Sequence, residues 1–83
     1  MDKRKFDEII EDYGIEQAMR SRRASLVRSY EQEKGFRWYG LQWERDIESH
    51  DFNAKWCADH GYCHLYGHTY YADGRSEAGY HYA

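Results

Sequence analysis

With 83 residues, no proline, 33% charged residues and a net charge of −3, the chain is short enough for one domain at most, read here as a single unit over 1–83. An acidic balance of this size argues against a protein built to hold a phosphate backbone, and no apolar run approaches the length that spans a bilayer. So short a chain buries only about 60% of its unfolded surface, so its nine Tyr, three Trp and three Phe must supply much of the core, and a metal or a disulfide would help.

In chain order, Phe6, Ile9, Ile10 and Tyr13 recur at i, i+3, i+4 and i+7, which predicts a short amphipathic helix that Gly14 ends or kinks. A second helix is expected from Ile15 to Glu33, with Ile15, Ala18, Met19, Leu26, Val27 and Tyr30 on one face and Gly35 placed to stop it. Trp43, Ile47, His50, Ala54 and Cys57 form a third helical stripe. Beyond Cys63 the pattern alternates, with Leu65, Gly67, Thr69 and Tyr71 against Tyr66, His68, Tyr70 and Ala72, which suits a strand. Asp73-Gly74 opens a turn, after which Tyr80-His81-Tyr82 is expected to pair back. The predicted fold class is α+β: three N-terminal helices and a small C-terminal antiparallel β-hairpin, stapled by a structural zinc site.

The zinc expectation comes from Cys57 to His68, twelve positions that hold both cysteines and three of the five histidines. Thiolate and imidazole are the ligands a tetrahedral zinc ion prefers, and Cys57, His60, Cys63 and His68 supply two of each. Cys57 and His60 lie at i, i+3 on one side of a helical turn. His50 is about 10 Å along the helix from Cys57, at the limit of joint reach. His64 is the closer rival to His68. Neighbouring strand residues point to opposite faces, which sets His64 against Cys63, whereas a bend at Gly67 can swing His68 back toward the cysteines. Four protein ligands leave no open position for a water, so the metal would be structural.

Other readings of the same residues stay open. A Cys57–Cys63 disulfide is sterically feasible, and the thiols can also be ordinary buried side chains. The charged N-terminus, Met1 to Glu8, has no apolar stretch of the secretory kind, so a reducing cytoplasm is the expected compartment. Arg20, Arg22, Arg23 and Arg28 form the one basic cluster, but Glu16, Glu31 and Glu33 beside them predict a solvated, compensated helix face. A metal-dependent nuclease would need a basic groove, and a zinc deaminase would need His-x-Glu ahead of Cys-x-x-Cys; both are missing. No enzyme is expected.

Twelve of the fifteen aromatics follow Lys34, more than a small core needs. Tyr62, Tyr66, Tyr70, Tyr71, Tyr80 and Tyr82 are therefore divided between core and a binding surface, with Trp38, Tyr70 and Tyr80 taken as partner-binding residues. A very small, acidic, aromatic-rich chain with a Cys57/His60/Cys63/His68 cluster resembles the phage-encoded anti-CRISPR proteins, and is similar to zinc-containing inhibitors of Cas9. The resemblance implies a non-enzymatic inhibitor, working in the bacterial host cytoplasm, that binds a Cas nuclease and blocks steps such as target DNA loading by occlusion. The alternative class is a small zinc-containing nucleic-acid-binding regulator.

Overall fold

The computed structural model describes residues 1–33 and 36–82, and side chains outside 33–43. Three helices, α1 (Lys3–Tyr13), α2 (Ile15–Glu33) and α3 (Phe36–His60), precede three strands, β1 (Tyr62–Leu65), β2 (His68–Tyr71) and β3 (Ser76–Ala78). The fold is α+β, with the strands in one antiparallel sheet of order β1-β2-β3.

The Asp2 carboxylate caps α1 by accepting the Lys5 N–H at 2.9 Å, and that bond holds its pKa below the ordinary value. Gly14, at φ 94°, closes α1 by donating to the Ile10 carbonyl and opens α2 by accepting from Ala18, so the two helices meet with no linker. Phe6 and Ile10 on α1, Ala18 and Met19 on α2, Cys57 on α3, and Cys63, Leu65 and Tyr70 of the sheet make the core. The ring of Phe6 stands edge-on to Tyr70 at 5.1 Å and to Tyr66 at 5.6 Å, which seats α1 on the inner face of the sheet.

His50 locks α2 to α3. It is 4% exposed, accepts from the Arg22 guanidinium on Nδ1 at 2.6 Å, and donates from Nε2 to the Met19 carbonyl at 3.1 Å. Burial first, then the Arg22 charge, lower its pKa, so the ring is held neutral. The third-helix stripe keeps Ile47, His50 and Cys57 buried, whereas the side chain of Trp43 lies outside the described residues, as does Gly35. No helix among the described residues is long and apolar enough to cross a membrane.

The strand region differs from the alternation read in the sequence. The run beyond Cys63 is broken at Tyr66-Gly67, where φ of 55° and 75° makes the two-residue turn of a tight hairpin, so it becomes two strands rather than one. The strand that pairs back is 76–78, not 80–82. Tyr80 to Tyr82 instead cross the outer face as an extended tail. Thr69, buried on that face, donates to the Gly79 carbonyl and accepts the His81 N–H, both at 2.8 Å, and Gly79 N–H donates to Gly67 at 2.8 Å. These bonds satisfy a buried hydroxyl and use up the backbone groups that a continued strand would need.

Candidate functional site

Pairing Cys63 with Tyr70 and Leu65 with His68 puts these four on the inner face of the sheet, while Tyr62, His64, Thr69 and Tyr71 take the outer face. Of the four residues expected to bind zinc, Cys63 and His68 therefore share the inner face, but the four are not gathered at one point. Cys57 and Cys63 meet in the core, where the contact between the two thiols and burial push Cys63 up. The hairpin does return the chain, but it brings Tyr70 opposite Cys63, leaving His68 at the turn, about two residues or 7 Å further along. His60 faces outward: its ring stacks on Trp56 at 4.0 Å and 11°, and its Nδ1–H donates to the Trp56 carbonyl at 2.9 Å. Among the described residues no group of three or more His, Cys, Asp or Glu is gathered to hold a metal.

The expected partner-binding residues also part company. Tyr70 is 1% exposed, its phenol buried beside the Asp7 carboxylate, and burial followed by that charge holds its pKa well above the ordinary value. It is a core residue and offers a partner no surface, because the hairpin register turns it toward Phe6. Trp38 has a side chain outside the described residues. Tyr80 is 56% exposed and sits where a partner can reach it.

Around Tyr80 lies a continuous aromatic face. Phe52, Trp56 and His60 recur at i, i+4 and i+8 along the outer side of α3, and β1 continues the surface with His64. His64 is the hub: Tyr80 stacks on it at 4.9 Å and 21°, Tyr82 meets it edge-on at 4.9 Å, and its Nε2–H donates to the His81 carbonyl at 2.7 Å, tying the tail down. Tyr62 is buried beneath, 4.7 Å edge-on from Trp56 and 5.5 Å from His64. Tyr71 completes the face beside Tyr62 and carries the Arg75 guanidinium over its ring. Burial and the neighbouring Glu77 raise the Tyr71 pKa. Phe52 (72% exposed) and Tyr82 (77%) leave large apolar area open to water. The α3 stripe is visible in the sequence as a four-residue period, next to the stripe of Ile47, His50 and Cys57 that feeds the core.

Two other features bear on function. A groove of about 430 Å³ runs between α2 and α3 over Ile15, Met19, Ala54 and Cys57. Its charged rim is internally paired, Arg20 with Glu16 and Arg23 with Asp51, each at 2.8 Å. With Arg22 bound to His50, three of the four clustered arginines are engaged within the chain; Arg20 pairs along α2 with Glu16 as the compensated helix face predicts, whereas Arg22 and Arg23 reach across to His50 and Asp51 of α3. No protein-family model matches the chain, and no curated protein or solved structure shows significant similarity to it.

Proposed function

We propose that the chain is a non-enzymatic binding protein that occludes a protein partner through the face formed by Phe52, Trp56, His60, His64, Tyr71, Tyr80 and Tyr82. The observation that carries this reading is the exposure of Phe52, Tyr80 and Tyr82 on one surface whose rings are otherwise packed on each other. Rigid amphipathic rings give large contact area at little entropic cost, which is why Tyr and Trp dominate binding hot spots. The resemblance to phage-encoded inhibitors names the partner to test, a CRISPR effector nuclease of the Cas9 type, blocked at a step such as target loading. In a cleavage assay with the purified nuclease, inhibition should saturate near an equimolar ratio and fail with Tyr80→Ala. Turnover at a substoichiometric ratio, or activity abolished by replacing Arg20, Arg22 and Arg23 while every aromatic change is silent, would replace this reading with an enzymatic or a nucleic-acid-binding one.

A structural zinc ion is a second component of the proposal, favoured by the meeting of the Cys57 and Cys63 sulfurs at the junction of α3 and β1. His60 and His68 would have to leave their present positions to complete four ligands. About one zinc per chain after metal-replete expression is the expected result. A ratio near zero with both thiols free removes the metal and leaves the aromatic face untouched.

A further inference from the structure

We infer that the partner surface seated on the aromatic face is rich in arginine, its guanidinium groups lying on the open rings of Tyr80 and Tyr82. This rests on the binding role proposed for that face and adds the chemistry of what binds there. The chain already seats one guanidinium on it: Arg75 stands 4.5 Å from the Tyr71 ring centroid and is held there by Asp73 at 2.8 Å. A ring stack closed by an in-plane carboxylate is the arrangement that suits a planar cation with donors along its edge, and it suits lysine poorly.

The charge around the rings has the matching sign. Between Phe52 and Tyr82, the span that carries the rings, Asp59, Asp73 and Glu77 stand against Lys55 and Arg75, and Arg75 is already tied to Asp73. Exposed carboxylates stand on the same elements as the rings: Asp59 beside His60 near the end of α3, Asp73 in the turn after Tyr71, and Glu77 on β3 within 3.3 Å of the Tyr71 hydroxyl. Rings alternating with acids attract cations through the ring faces and through the carboxylates together. The same acids repel phosphate, so base stacking by nucleic acid is disfavoured at the surface where the rings would otherwise invite it. The α2–α3 groove lacks this character, since each of its arginines already has an acid and no Tyr, Trp or Phe borders it among the described residues.

Titration of the intact chain with peptides of equal length, carrying arginine, lysine or glutamate in the same Gly/Ser frame, tests this. The arginine peptide should bind about fivefold or more tightly than the lysine peptide and shift the NMR signals of Tyr80 and Tyr82, while the glutamate peptide stays unbound. Equal binding of arginine and lysine, or shifts confined to the Glu16 and Asp51 groove, overturns the inference. Tyr82→Ala, at a position 77% exposed, keeps the fold and should weaken the arginine peptide. If a protein partner loses binding to Tyr80→Ala while the arginine peptide never binds, the face is a binding site of a different chemistry. If Tyr80→Ala leaves partner binding intact, the role proposed for the face fails whatever the peptide does.

Discussion

On the inner face of the sheet, Cys63, Leu65 and Tyr70 close against Phe6 and Cys57, and water is shut out. On the outer face the cover is Trp56 and the three-residue tail, and the rings that pack on His64 keep their far sides in solvent. Both faces use tyrosine. Tyr70 and Tyr80 differ in what lies opposite them, a helix in one case and bulk water in the other, so one is a core residue and the other keeps an open ring where the proposed binding would act. A small domain gains from this division, because the same aromatic residues that compensate for few aliphatics can also present a surface without a separate binding loop.

The sharpest way to break the comparison is to empty the inner face. Phe6→Ala should cost about 3–5 kcal/mol, a large part of the roughly 5–15 kcal/mol typical of a domain, and urea unfolding followed by circular dichroism would show it. A loss below about 1 kcal/mol would mean that α1 does not anchor the sheet. On the outer face the effect should move from folding to binding. Tyr80→Ala is expected to cost about 2 kcal/mol or more in partner affinity by calorimetry, with stability changed far less than by Phe6→Ala. If the two variants lose stability equally, the faces are not distinct in role.

Thr69 holds the outer face together, since its buried hydroxyl ties the tail to the sheet. Thr69→Val keeps the shape, removes both bonds and leaves the Gly79 carbonyl and His81 N–H to water, so a loss of about 1–2 kcal/mol and faster amide exchange at His81 are expected, with exchange in α1 unchanged. The smallest expected effect is the pH response of His50, set apart from the sheet. Its folded pKa is lowered, so stability is complete above the unfolded value near 6.5 and declines as pH falls below it, because the unfolded ring takes a proton that the folded one refuses until lower pH. Chemical denaturation across pH 7 to 5 should show this decline, and His50→Gln should flatten it.

Helices were the legible part of this chain. Phe6 to Tyr13, Ile15 to Glu33 and the stripe through Ile47, His50 and Cys57 follow the 3.6-residue period, and Gly14 marks a boundary the structure keeps. The strand region was legible in type but not in register. Alternation from Leu65 to Ala72 runs through a turn because Tyr66 takes a positive φ at the position where Asn or Gly is usual, leaving Gly67 as the one sign of the bend.

For the candidate site, the sequence by itself determined that thiols and imidazoles crowd between Cys57 and His68, and that more aromatics follow Lys34 than a core of this size can absorb. It also determined the helical periods, because they are local and depend on neighbours a few positions away. Only the tertiary structure decided which ring goes in and which goes out. One two-residue turn sets Cys63 against Tyr70 rather than His68, and with a side-chain period of two that register assigns every residue of β2 to a face. The tail then lays Tyr80 and Tyr82 on His64 through hydrogen bonds between residues more than ten positions apart, contacts that no local pattern encodes.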